Sequence, residues 1–264
     1  GADLDSPFVF RTSRPRGAVS KRSVKSCDGT IVFAGKSPTG EVGVYRLEGY
    51  TPKKISTNEI DRLIESESDP SVIKAAAYGR QGHSFYCLKG TDWTRTYDAA
   101  TGEWHTRESY GLSVWRAEYS LSAWNKIIFT DQETGKLLRL ADDTFTEDGG
   151  VMVMQITTPF LHAFPRGGVV DRASFNLLVG QGVTSPTAQG YDPLAMVSKS
   201  IDGGNTWSFP RHVSLGKQGG YSTKINTWRW GRFGPNGIAY RISISDPVGR
   251  GLALMDAAVR PLAA

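Results

Sequence analysis

The sequence predicts an all-β protein, built as a propeller-like array of antiparallel hairpins or blades with one short helix. Three observations predict it. The 264 residues include 30 Gly and 13 Pro, a composition typical of many short strands joined by turns. Residues 31–47 and 127–140 read as copies of one hairpin, an apolar strand followed by a polar turn and a second strand. Residues 200–207 follow a hairpin-turn pattern found in propeller blades.

The hairpin copies share a Thr-Gly pair in their turns. A third, looser copy runs from residue 84 to residue 104. Glycine supplies the positive φ that a tight hairpin requires. The pairs are Thr39 and Gly40, Thr101 and Gly102, and Thr134 and Gly135. Their irregular spacing predicts blades of unequal length.

One helix is expected between the first two copies. Residues 56–59 read Ser-Thr-Asn-Glu, a capping box in which Ser56 and Glu59 would satisfy the first backbone N–H groups. An apolar stripe of Ile60, Leu63 and Ile64 follows, with acidic residues on the other side. We expect a short helix packed on the edge of a sheet.

The chain is expected to have three parts. Residues 1–27 form a basic N-terminal segment, residues 28–165 the hairpin repeats, and residues 166–264 a C-terminal β segment packed in the same domain. In the third part, residues 238–244 alternate apolar and polar as a half-buried strand does. Trp228 and Trp230 are expected on one face of its partner strand.

The turn pattern in the third part is S-x-D-x-G-x-T-W, known as an Asp-box. Asp202 can bond the backbone two residues on, the two glycines permit positive φ, and the indole can pack under the turn. Thr206 is expected to restart a strand. The predicted residues are Ser200, Asp202, Gly203, Gly204, Thr206 and Trp207. We expect them to close one hairpin rather than to bind or cut a substrate.

The sequence excludes a membrane-spanning helix, and its net positive charge has two interpretations. No apolar run approaches the length of a spanning helix, and no signal peptide is expected. The net charge of +5 fits either a solvated surface or contact with DNA or an acidic partner. Cys27 and Cys87 are the two cysteines, and a buried free thiol is expected at Cys87.

The sequence predicts no catalytic residue, no metal site and no cofactor. The histidines are dispersed, and neither a G-x-S-x-G elbow nor an H-E-x-x-H pair occurs. A sialidase-like glycosidase stays open as an alternative, although only one complete Asp-box is present. A carbohydrate-binding module is the other alternative, with Trp93, Trp104 or Trp115 as stacking platforms.

Several strings in order resemble the packaged-DNA stabilisation proteins of short-tailed bacteriophages, the tail-hub or tail-accessory family. The strings are residues 54–60, 82–86, 96–105, 200–207 and 228–232. The resemblance covers most of residues 28–260, and it concerns the C-terminal part of the family's chains. No single string is diagnostic, whereas the ordered set is more specific.

The resemblance implies a non-enzymatic virion component. Such a protein would join a ring beneath the portal, keep the packaged genome from leaking, and support the tail needle and the tailspikes. It implies the portal or adaptor ring as a neighbour, permits contact with packaged DNA, and implies a virion location after synthesis in the bacterial cytoplasm. The family has no catalytic motif to transfer to this chain.

Overall fold

A computed structural model describes residues 17–262, and within them it shows nineteen strands, one α-helix and two short 3₁₀ turns. The chain divides into two compact units, Gly1–Ala141 and Asp142–Ala264. All strand pairs in both units are antiparallel, which confirms the predicted all-β class. In this described part, no helix has the length and apolar character needed to cross a membrane.

The first sheet of the first unit occupies four strand positions. β3 pairs with β4 on one side, and both β1 and β2 lie along its other side. β5 completes the sheet beyond β4. The strands are β1 (Gly17–Ala18), β2 (Lys25–Cys27), β3 (Thr30–Lys36), β4 (Val42–Glu48) and β5 (Thr51–Lys54).

The second and third sheets repeat the up-and-down order. The second sheet has the order β6-β7-β8-β9, and the third has the order β10-β11-β12. Their strands are β6 (Lys74–Arg80), β7 (His83–Lys89), β8 (Thr94–Asp98), β9 (Glu103–Thr106), β10 (Ala117–Ala123), β11 (Lys126–Asp131) and β12 (Leu137–Leu140). Three successive antiparallel meanders of unequal size are what the hairpin repeats predict.

Apolar side chains join each sheet to the next. Val32 and Val44 of the first sheet share a buried cluster with Tyr86 and Leu88 of the second. The opposite face of the second sheet packs on the third through a separate cluster. That second cluster consists of Ala76, Tyr78, Cys87, Trp115, Ala117 and Phe129. The middle sheet is therefore covered on both faces.

The predicted helix is present as α1 (Asn58–Ser66). Ile60 and Ile64 are buried in the cluster between the first two sheets. The capping box is wrong, because Thr57 is the N-cap residue and makes no side-chain cap bond. Ser56 instead accepts a hydrogen bond from Val44 N at 2.9 Å and donates to Asp61, which ties the start of the helix to β4.

The second unit is a sandwich of two sheets. One sheet has the order β13-β18-β15-β16 and the other the order β17-β14-β19. The strands are β13 (Met154–Thr157), β14 (Gly168–Leu177), β15 (Leu194–Ser200), β16 (Arg211–Ser214), β17 (Ile225–Phe233), β18 (Ala239–Ile244) and β19 (Leu252–Pro261). Val197, Tyr240 and Ile242 of the first sheet share one core with Phe175 and Trp230 of the second.

The two neighbouring tryptophans of β17 point to opposite faces, so the expectation that they share a face is wrong. Trp230 is 1% exposed and lies in the core, whereas Trp228 is 57% exposed. The register against β14 shifts between Val170 and Arg172, where β17 carries an extra residue. Arg229 sits in this bulge with φ +59°. A bulge inverts the alternation of side chains, which periodicity alone does not reveal.

The unit boundaries also differ from the expected ones. β1 and β2 pair with β3, so described residues before position 28 belong to the first sheet. Arg11, Arg14 and Arg16 of the expected basic segment lie outside the described residues. The second unit begins at Asp142 rather than near 166, because β13 pairs with β18 of the sandwich.

The difference in burial between Trp228 and Trp230 can be tested by measuring the stability of alanine variants. We expect Trp230→Ala to lower the free energy of unfolding of the sandwich by about 3–5 kcal/mol, since it removes a fully buried ring. Trp228→Ala should change it by less than about 0.5 kcal/mol. Urea unfolding followed by circular dichroism measures both. Equal losses for the two variants would contradict the bulge.

Candidate functional site

The turn after β15 is closed by the side chain of Asp202. Thr206 N donates to its Oδ1 at 3.0 Å, and Thr206 Oγ1 donates to its Oδ2 at 2.6 Å. Ser200 Oγ donates to Asp202 Oδ1 at 2.8 Å and accepts from Gly204 N at 3.0 Å. Gly203 and Gly204 have φ of +79° and +93°, where a side chain would be strained. One carboxylate thus links the two ends of the turn.

Trp207 packs at the same turn. Its Nε1 donates to Gly204 O at 3.1 Å, and the guanidinium of Arg241 lies 3.9 Å from the ring centroid. The next strand does not restart at Thr206 as expected, because β16 begins only at Arg211. Thr206 is held by Asp202, and Pro210 has no N–H to offer a ladder.

Hydrogen bonds from the hydroxyl and the N–H of Thr206 lower the pKa of Asp202 to about 2. The carboxyl is therefore ionised at neutral pH and acts as an acceptor only. All the donors to the Asp202 carboxylate described above belong to the turn itself. The carboxylate therefore stabilises the conformation of the turn.

Two of the Thr-Gly turns are closed by an aspartate that sequence reasoning missed. Gly102 N donates to Asp98 O at 2.8 Å, and Ala100 N donates to Asp98 Oδ1 at 2.9 Å. In the third sheet, Gly135 N donates to Asp131 O at 3.0 Å, and Thr134 N and Oγ1 both donate to Asp131 Oδ2. Both segments read D-x-x-T-G, a repeat that was available in the sequence.

Each of these aspartates also binds a basic side chain. His83 Nδ1 lies 2.7 Å from Asp98 Oδ2. Arg116 binds Asp131 through both Nε and Nη2, with the Nε contact at 2.7 Å. The Asp131 side chain is fully buried, and these bonds hold its pKa well below its usual range. The Asp98 turn is thereby anchored to the first residue of β7, and the Asp131 turn to the residue directly before β10.

The Thr39-Gly40 turn is different. It joins β3 to β4, the second and third strand positions of its sheet. The Thr101-Gly102 turn joins β8 to β9, the third and fourth positions. Gly40 has φ +92° and donates to Ser37 O at 3.0 Å. Lys36 occupies the position that aspartate holds in the other two turns, so only two of the three turns share one construction.

Comparison with known proteins decides the family. The family model described as bacteriophage P22 Gp10, beta-propeller, matches residues 2–145. The model described as bacteriophage P22 Gp10, beta-sandwich, matches residues 153–260. The chain belongs to the bacteriophage P22 Gp10 family. A search of the curated proteins found no match.

Membership of the Gp10 family establishes the general role. The chain is a Gp10-like phage virion protein involved in DNA stabilisation, and its family is a family of phage structural proteins. The beta-propeller model falls on the three meanders and the beta-sandwich model on the two-sheet unit. Contact with other virion components follows from this role.

The three tryptophans considered as sugar platforms are engaged within the first unit. Trp93 and Trp115 are 6% and 5% exposed, so neither offers a free ring face. Trp93 Nε1 donates to Glu67 at 2.8 Å, and the Arg107 guanidinium lies 3.8 Å from the Trp115 ring centroid. Trp104 is half-buried and donates to Ile55 O at 2.8 Å.

Three tyrosines of the described chain are buried in a way that disfavours their ionisation. Burial raises the pKa of Tyr78, Tyr86 and Tyr240, which is the reverse of the activation that a tyrosine nucleophile needs. Across residues 17–262, no three His, Cys, Asp or Glu residues group as metal ligands would. Cys27 and Cys87 are free thiols, and both are buried.

The buried aspartate of the third sheet should be essential for stability. We expect Asp131→Asn to lower the free energy of unfolding of the first unit by about 3 kcal/mol, because Arg116 would lose its charged partner. Glu133→Gln, two residues away in the same turn, should cost less than about 0.5 kcal/mol. Chemical unfolding of both variants measures this, and a neutral Asp131→Asn would contradict the assigned role.

The Asp202 turn predicts a pH effect of definite sign. A folded pKa of about 2, below the ordinary value near 3.9, means that the carboxylate stabilises the turn at neutral pH. This stabilisation is lost as the pH falls from about 4 towards 2. Nuclear magnetic resonance titration of the Asp202 carboxyl should give the low pKa directly.

Two variants isolate the cause. Thr206→Val should raise the pKa of Asp202 towards its ordinary value, since one donor to the carboxylate is removed. Asn205→Ala should leave it unchanged, because Asn205 binds the backbone carbonyl of Asp202 and not its carboxylate. The same shift in both variants would show that the Thr206 hydroxyl is not the cause.

Proposed function

We propose that the protein is a tail-hub or head-completion factor that stabilises packaged DNA below the portal. In this role it joins a ring on the virion and supports attachment of the tail needle and the tailspikes. The observation that carries the proposal is the match of both Gp10 domain models, in order, to the two structural units. The proposed location is the phage tail, after synthesis in the bacterial cytoplasm.

The turn aspartates have a structural role that suits a component of the virion. Asp202 holds one sandwich turn, and Asp98 and Asp131 hold two blade turns, each through several short hydrogen bonds. We propose that these residues act as fasteners with no catalytic task. A component that resists the pressure of a packaged genome benefits from loops tied at both ends rather than from mobile ones.

An exposed strand edge supports assembly with neighbours. β19 is ten residues long, and it pairs with β14 on one side only. It contains no lysine, and its charged residues are Asp256 and Arg260. Long edges with few charges tend to pair with other chains, so soluble proteins usually protect them. A ring of copies or a neighbouring tail protein would cover this edge.

The proposal predicts a defect in particles that lack the protein. In a phage with this gene deleted, we expect filled heads to lose DNA and particles to lack the needle and the tailspikes. DNA protected from nuclease and tail proteins counted on gels measure the two effects. Complementation with the wild-type gene is the control. Unchanged genome retention in the deleted phage would overturn the proposal.

A further inference from the structure

The second unit carries a stretch of unusual charge. Residues 203–245 contain six Lys or Arg residues and no Asp or Glu. The chain as a whole has 31 basic and 26 acidic residues, so acids elsewhere nearly balance the bases. β16, β17 and β18 all belong to this stretch, and β16 and β17 are outer strands of their sheets. The positive charge is therefore concentrated on strands rather than in a tail.

Two cations of the facing sheet bond the bulge of β17. Arg211 of β16 donates to the carbonyl of Trp228 and, at 3.1 Å, to that of Arg229. Lys199 of β15 donates to the carbonyl of Trp230. We call Arg172, Lys199, Arg211, Trp228 and Arg229 the cationic edge. Three successive carbonyls of the bulge thus accept from cations, so this edge is closed to pairing with another strand.

The charges of the cationic edge are not neutralised within the unit. In the part of the chain that the structure describes, none of its four cations forms an ion pair with a carboxylate. The nearby Asp171 is held by Arg260 at 3.1 Å. Such a surface attracts an acidic partner, and a low local density of negative charge strengthens that attraction.

An exposed ring stands at the centre of these charges. Trp228 is 57% exposed, and the Arg172 guanidinium lies 5.6 Å from its ring centroid. Phe209, two residues before Arg211, is 96% exposed. Tryptophan and arginine are the residues most enriched at the energetic centres of protein interfaces. Binding to the phosphates of duplex DNA requires cations and no exposed apolar ring, so a protein partner fits better than duplex DNA.

We propose that the cationic edge is a docking surface for another tail protein of the virion. The partner surface presents carboxylates around an apolar recess that receives the Trp228 indole. The inference rests on the proposed function, because it takes the partner from the assembled tail. Docking proceeds through side chains, since the bulge carbonyls are already bonded to Arg211 and Lys199.

The test uses purified full-length protein and phage particles assembled without it. We expect wild-type protein to bind these particles, and Trp228→Ala and Arg229→Glu each to weaken binding by about 30-fold. Neither substitution introduces glycine or proline, and the Trp228 ring is exposed, so we expect the unfolding midpoint of both variants to equal that of the wild type. The matched control is Lys224→Glu, which reverses an exposed cation of the same basic stretch that lies outside the cationic edge.

Four outcomes would separate the possibilities. Loss of particle binding by both variants but not by Lys224→Glu supports the docking surface. Particle binding equal to wild type overturns it. Normal particle binding together with lost binding to a short duplex DNA also overturns it, since the edge would then serve nucleic acid. Failure of the wild-type protein itself to bind the particles would count against the proposed function instead.

Discussion

The first unit depends on burying both faces of its middle sheet. Ala75, Tyr86 and Leu88 pack towards the first sheet, while Ala76 and Cys87 pack towards the third. The apolar faces of a small sheet must be covered, and here the two neighbouring sheets cover both faces of the middle one. Each sheet therefore needs its neighbour, and small alanines in β6 let the layers approach closely.

Carboxylates fasten turns in both units. Asp98 and Asp131 each bond the turn backbone and a basic group at the same time. Asp202 of the sandwich also bonds the turn backbone, through Thr206 N, but its other partners are the hydroxyls of Ser200 and Thr206. Two units of different architecture thus both close turns by bonding backbone N–H groups to an aspartate side chain.

The two outer strands of the β17-β14-β19 sheet differ in whether the backbone groups of their outer edges are bonded. On β17, the bulge and the bonds from Arg211 and Lys199 protect the edge and leave Trp228 and Arg229 for contacts through side chains. On β19, long and poor in charge, the backbone is left open. A phage structural protein of the Gp10 family works in an assembly, where both kinds of surface have a use.

Local sequence determined the features that depend on neighbouring residues. The all-β class, the helix near residue 60 and the positions of the glycine turns follow from periodicity and from the φ that glycine allows. The residues of the 200–207 turn could be named in advance for the same reason, since every contact of its carboxylate lies within a few residues.

Only the tertiary structure decided the features that depend on distant partners. Ser56 is bonded by Val44 of β4, and Asp61 is bonded by Ser56 and by Lys54 of β5. The bulge of β17, between the partners of Val170 and Arg172, sends Trp228 outward and Trp230 inward. Residues 142–165 belong to the sandwich because β13 pairs with a strand more than eighty residues later. Asp131 gained its role from Arg116, fifteen residues away. Sequence periodicity records which residues are apolar, but a change of register or of strand partner depends on contacts that folding alone brings together.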